Sequence, residues 1–98
     1  MKELEGRVAI VTGSAMNIGR QICLKLARLG AAVVTHAKEN RAGAEETAAL
    51  VAAEGAGTAV HIGDLSEPSG ARALIEAAVQ EFGGLHILVN NAAMRRNT

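Results

Sequence analysis

Residues 7–20 read Arg7-Val8-Ala9-Ile10-Val11-Thr12-Gly13-Ser14-Ala15-Met16-Asn17-Ile18-Gly19-Arg20, and the fold follows from this stretch. Val8–Thr12 is a run of apolar and β-branched residues, the composition of a strand buried on both faces. Gly13 then opens a tight turn. Ile18, Ile22, Leu26 and Leu29 recur at helical spacing, which predicts a helix over Asn17–Leu29 ended by Gly30. A helix that starts just beyond a strand end presents unpaired backbone N–H groups and the positive end of a dipole. That combination favours a phosphate group.

Outward from this unit the chain alternates strand and helix. Ala32–His36 reads as a second strand, and the polar stretch Lys38–Gly43 leads into a second helix ending near Glu54. Ala44, Ala48 and Val51 give that helix its apolar spacing, and Gly55 and Gly57 close it. A third strand over Thr58–Gly63 precedes Asp64-Leu65-Ser66-Glu67-Pro68, where Ser66 is the expected N-cap and Pro68 lies in the first turn. Ala71, Leu74, Ile75, Ala78, Val79 and Phe82 then line one face of a third helix, stopped by Gly83-Gly84. Leu85–Asn90 reads as a fourth strand. Apolar strands joined by helices predict an α/β fold in three layers, a parallel sheet with helices on both faces. Right-handed crossovers place its strands in the order 3-2-1-4. The fourth strand is then an open apolar edge, a feature that calls for further sequence to cover it.

Composition removes several classes of function. The chain has 98 residues, the size of one small domain at most, and 49% of them are apolar, enough for a core. Ten basic and ten acidic side chains cancel, which argues against nucleic acid and anionic membranes as partners. One Phe with no Tyr or Trp leaves no platform for stacked bases. The charged start, Met1 to Arg7, and the short apolar run after it predict neither a signal peptide nor a membrane span. A single cysteine, Cys23, excludes an internal disulfide, and a reduced cytoplasmic setting is the expectation. Cys23 has no paired base in view and reads as a small core filler. His36, His61 and His86 are scattered without a Cys or carboxylate cluster, so no metal site is expected.

Three short motifs carry chemistry: Thr12-Gly13-x-x-x-Asn17-x-Gly19, Asp64-Leu65, and Asn90-Asn91-Ala92-Ala93. Each alone also reads as an ordinary turn, cap or strand end. Together they fall just past the first, third and fourth strands, on the side of the sheet where open α/β folds bind ligands. In this combination the chain resembles, over essentially its whole length, the N-terminal part of a classical short-chain dehydrogenase/reductase. The fold implied is Rossmann-like, the N-terminal half of a doubly wound dinucleotide-binding domain occupying residues 1–98. The resemblance implies that Gly13, Ser14, Asn17, Ile18 and Gly19 frame a cofactor pyrophosphate. It implies that Asp64 accepts a hydrogen bond from the adenine amino group beside the Leu65 backbone. Asn90, Asn91 and Ala92 would stabilise the fourth strand and border the cofactor ribose.

Two positions depart from the family pattern. Asn17 stands where the family has its middle glycine. If that position needs a positive φ, Asn is the side chain best able to replace glycine, and its amide is placed to reach the phosphate or cap the helix. Ala93 stands where N-N-A-G has its last glycine, narrowing the space near the nicotinamide. NAD-selective enzymes place an acid at the end of the second strand, whereas Thr35-His36-Ala37-Lys38 has none before Glu39. Lys38 and Arg41 are suited to a 2′-phosphate, so NADP(H) is favoured over NAD(H). Met16, where many NADP-preferring relatives carry Arg or Lys, argues the other way, and plain surface charge is the competing reading of Lys38.

The resemblance further implies hydride transfer between nicotinamide and an alcohol or ketone carbon, with Tyr, Lys and Ser as the catalytic set. The chain contains no tyrosine, so no catalytic residue is assigned within it and no turnover is expected from these 98 residues by that mechanism. The expected function is the NAD(P)(H)-binding portion of such an oxidoreductase, with a small-molecule substrate and a homo-oligomeric assembly in the complete enzyme. A non-catalytic dinucleotide-binding or interaction module is the alternative. Other α/β classes fit less well. A receiver domain needs acids after the first strand, and a P-loop needs Gly-Lys-Ser/Thr where Gly19-Arg20-Gln21 stands. A methyltransferase needs an acid after the second strand.

Overall fold

A computed structural model describes residues 2–91. The elements run β1 (Val8–Val11), α1 (Asn17–Arg28), β2 (Ala32–Ala37), α2 (Arg41–Ala53), β3 (Thr58–Ile62), α3 (Pro68–Phe82) and β4 (Ile87–Val89). The strands form one sheet in the order β3-β2-β1-β4, every pair parallel. Val8 lies opposite Ala32, Ala9 opposite Ile87, and His36 opposite His61. This is the α/β, Rossmann-like arrangement expected from the alternation of apolar runs.

Side-chain alternation along β1 and β2 divides the core in two. Val11 and Val33 pack with Cys23, Leu24 and Ala27 of α1 and Val51 of α2 on one face. Val8, Ile10 and Val34 pack with Leu74 and Ala78 of α3 on the other. A smaller cluster of Ala15, Ala37 and Ala44 holds the β1–α1 turn against β2 and α2. Basic residues Lys25 and Arg28 occupy the last turn of α1, where they complement the helix dipole, and Gly30 follows with φ 105°.

Element boundaries differ from the sequence expectation by a residue or more, and two differences have physical reasons. Ser66 is not the N-cap of α3. Pro68 forces the residue before it into extended backbone, and Glu67 has φ −98° and ψ 140°. The helix therefore starts at Pro68 with Glu67 in the cap position and without a side-chain cap bond. The Ser66 amide instead donates to Asp64 Oδ1 at 2.9 Å. The fourth strand shrinks from Leu85–Asn90 to Ile87–Val89, because its ladder partner β1 is short and lies on one side only.

The apolar stripe of α3 also splits. Leu74 and Ala78 are buried, but Ile75 and Val79 are exposed, as is Leu88 on β4. Among the described residues nothing covers that face. No helix among them is long and apolar enough to cross a membrane.

Candidate functional site

The C-terminal ends of β2 and β4 meet the turn after β1, and the exit of β3 is joined to it through the His36 ring of β2. Gly13 has φ 62° and Asn17 has φ 57°, the left-handed value at which asparagine is the residue best able to replace glycine. Met16 is the cap position of α1 and is extended, and no side chain caps the helix, so the Asn17 amide does not serve as the cap. The first N–H groups of α1 lack an intrahelical partner and face outward from the turn. Ile18 is 65% exposed at that helix start.

Gly19 makes the close packing of this turn possible. A Cβ at Gly19 would collide with the Gly13 carbonyl, and would lie 2.8 Å from Ser14 Cα and 2.9 Å from Asn91 Nδ2. Any side chain here would fill the space that lets helix, turn and β4 end meet. The β4 end is tied in by two further contacts. Asn91 Nδ2 donates to the Gly13 carbonyl at 2.9 Å, and the Thr12 hydroxyl donates to Asn90 Oδ1 at 3.3 Å. Asn90 and Asn91 are thus brought to the same turn as Gly13, Ser14, Asn17, Ile18 and Gly19. Ala92 and Ala93 lie outside the described residues.

Ser14 points inward. It is fully buried, its amide donates to the His36 carbonyl at 2.7 Å, and its Oγ accepts from the His36 amide at 2.8 Å. Its contribution to a ligand is therefore through the backbone shape it holds. Burial pushes the Cys23 thiol up to about 11, the nearby Ser14 hydroxyl opposing this only in part. Cys23 is a neutral core thiol at physiological pH, with no nucleophilic character.

Asp64 lies at the exit of β3, exposed and ionised. The Ser66 backbone N–H, then the Ser66 hydroxyl and Lys38, hold its carboxyl below the usual carboxylate value. Lys38 Nζ stands 3.9 Å from Asp64 Oδ2, both side chains largely in solvent, so this pair is weak and Lys38 is readily available to another anion. Leu65 turns partly into the core face of α3, and Gly70 lets the first turn of α3 close onto the Asp64 carbonyl, where a Cβ would clash. A cavity of about 350 Å³ lined by Gly13, Ala15, Met16, Ala37, Lys38, Glu39 and Asn40 flanks the turn beside β2. A second, of about 390 Å³, lies between Thr12, Leu65, Leu74, Ile75, Leu88 and Asn90. No group of three or more His, Cys, Asp or Glu suited to a metal ion occurs among the described residues.

Two residues that the sequence reading passed over organise the site. Arg20 donates to the Ala15 carbonyl at 2.7 Å, to the Gly43 carbonyl at 3.3 Å and to Thr47 Oγ1 at 2.9 Å, tying the turn to α2. Its carboxylate partner Glu46 is at 3.0 Å. His36 ties the same turn to β2 and β3. Apart from the Arg20 bond to Ala15, both act on partners more than twenty positions away, and no local pattern marks them.

With the geometry in place, the chain can be set beside known proteins. A family model for short chain dehydrogenases matches residues 7–98. An uncharacterized oxidoreductase of Methylorubrum extorquens is 44% identical over 94 residues, covering 96% of this chain and 38% of the relative. A short-chain type dehydrogenase/reductase of Picea abies is 43% identical over 97 residues, covering 93% of this chain and 36% of the relative. Among solved structures, the hydroxysteroid dehydrogenase of Escherichia coli superposes with a TM-score of 0.83 at 30% identity, covering 89% of this chain and 37% of that one. The chain thus spans little more than a third of the length of these relatives. The turn, the sheet order and these matches agree: the chain belongs to the short-chain dehydrogenase family, of whose architecture it forms the nucleotide-binding portion.

Proposed function

We propose that this chain holds the cofactor of an NADP(H)-dependent oxidoreductase that moves hydride between nicotinamide and an alcohol or ketone carbon of a small molecule. The observation that carries the reading is the convergence of the Gly13–Gly19 turn, Asp64 and the Asn90–Asn91 pair on one edge of the sheet, with Asn91 bonded directly to Gly13. The donor set suits a dinucleotide. An uncapped helix start faces the position for a pyrophosphate, and Gly19 keeps the backbone close enough to form the cradle. Asp64 is an ionised acceptor for the adenine amino group, with Leu65 beside it.

The 2′-phosphate reading rests on β2. His36 stands at the strand end in place of an acid, both its ring nitrogens bonded internally, and exposed Lys38 lines the adjoining cavity. Bound nicotinamide would supply the hydride chemistry, while this chain's residues bind, orient and exclude water. The chain has no tyrosine, so in the whole enzyme the proton donor comes from elsewhere. A cytoplasmic setting and a homo-oligomer belong to the same proposal.

Fluorescence titration of the full chain with NADPH and NADH tests the cofactor reading. NADPH is expected to bind about tenfold more tightly, the equivalent of one charge-assisted hydrogen bond, and Lys38→Ala to erase the difference. Equal affinities in the unsubstituted chain would overturn the NADP(H) preference, and failure of both ligands would overturn the dinucleotide reading itself.

A further inference from the structure

His36 is 2% exposed, yet none of its polar groups lacks a partner. Its backbone N–H and C=O both engage Ser14. Its ring bridges two chain segments that are not otherwise adjacent in sequence. Nδ1 lies 3.0 Å from the Gly13 nitrogen, and Nε2 lies 2.9 Å from the Gly63 carbonyl oxygen. These partners dictate the tautomer. An amide can only donate, so Nδ1 is a bare acceptor, and a carbonyl can only accept, so Nε2 carries the hydrogen. The ring is therefore neutral, with its proton on Nε2. A second proton, on Nδ1, would face the Gly13 N–H head-on and break the bond that sets the first residue of the phosphate-binding turn.

We propose that His36 is a positioning residue for this turn: its neutral Nε2–H form fixes Gly13 for dinucleotide binding, and proton uptake by the ring loosens the turn and weakens that binding. The inference rests on the dinucleotide reading above and adds to it a residue that acts without touching the ligand. The surroundings agree with a ring held neutral. Burial, above all, lowers its tendency to protonate, the Gly63 carbonyl opposes this, and His61 reinforces it from β3. The other ionisable groups around the strand end are Lys38 and Glu39 beyond β2, Asp64 after Gly63, and the neutral thiol of Cys23 behind Ser14. Lys38 and Asp64 pair with each other at the exposed rim and offer the ring no compensating anion inside.

The test is NADP+ affinity of the full chain at pH 7.5 and pH 5.5, measured for the unsubstituted protein and for His36→Asn. The Asn Oδ1 can accept from Gly13 but does not titrate in this range. The 2′-phosphate itself titrates near pH 6, but equally for both proteins, so the difference between them is the reading. The unsubstituted chain is expected to lose on the order of threefold to tenfold more affinity on acidification than the variant, the size expected from one titrating hydrogen bond. Equal losses, or a gain on acidification, would overturn the proposal. Nitrogen-15 spectra of the imidazole in the ligand-free, unsubstituted protein provide a readout that needs neither variant nor cofactor. They should show protonated Nε2 and bare Nδ1, with the Gly13 amide resonance moving as the ring titrates. A Gly13 amide indifferent to that titration overturns the positioning role. Failure of NADP+ to bind at either pH counts against the dinucleotide reading, leaving the spectra to decide on His36.

Discussion

Strand β1 borders two different kinds of surroundings. At its C-terminal end, turn, β2, β3 exit and β4 end are joined by side-chain-to-backbone bonds through Ser14, His36 and Asn91, all of them buried or partly buried. Alongside, where α3 flanks β4, the contacts are apolar and one-sided, and Ile75, Val79 and Leu88 remain exposed. The first region has a single geometry because the side chains of Ser14, His36 and Asn91 each have a specific partner. The second has hydrophobic surface but no geometry of its own. A ligand site needs the former, and the motifs fall there.

Substitutions in the two regions should separate sharply. Gly19→Ala is expected to have the largest effect. The added methyl meets the Gly13 carbonyl and the Ser14 backbone, which cannot rotate away as a side chain can. A loss of about 1–3 kcal/mol in denaturant unfolding, together with loss of dinucleotide binding, is the expected result. Ser14→Ala comes next. It leaves the buried His36 amide without its Oγ acceptor, for about 1–2 kcal/mol in the same unfolding experiment.

A pH series probes the same knot without a substitution. The folded-state pKa of His36 is lowered from its ordinary 6.5, so below that pH the unfolded chain binds more protons than the folded one. Its contribution to stability is complete above about pH 6.5 and declines as pH falls toward the folded value. Melting temperature should drop over that window, and drop less in His36→Asn. Asp64 acts at lower pH, since its lowered pKa adds stability that declines as pH falls through the ordinary carboxylate range toward the folded value. On the other face, Leu88→Ser in this chain should change stability by no more than about 0.5 kcal/mol while reducing self-association in light scattering. A large loss there would mean that the exposed face has structure of its own, and the contrast would fail.

The contrast also explains what was legible in the sequence. Strands, helices and sheet order follow from local periodicity, and Gly13, Asp64 and Asn90 announce themselves as breaks just after apolar runs. Asn17 is readable because only a few residue types accept a left-handed backbone. His36 and Arg20 are not readable in this way. Within Val33-Val34-Thr35-His36-Ala37, histidine looks like any strand residue, and its role appears only when a turn 23 positions earlier is folded against it. The α3 stripe misleads for the opposite reason. Periodicity marks Ile75 and Val79 as apolar, but says nothing about whether a neighbour is present to cover them.

The most direct test of the central claim is to add NADP+ to the nitrogen-15-labelled chain and follow backbone amide shifts. The account predicts saturable shifts concentrated at Gly13, Ile18 and Gly19, at Asp64 and Leu65, and at Asn90 and Asn91, with Ile75 to Val79 unmoved. Saturable shifts centred on the α3 face, or none at the turn, would contradict it.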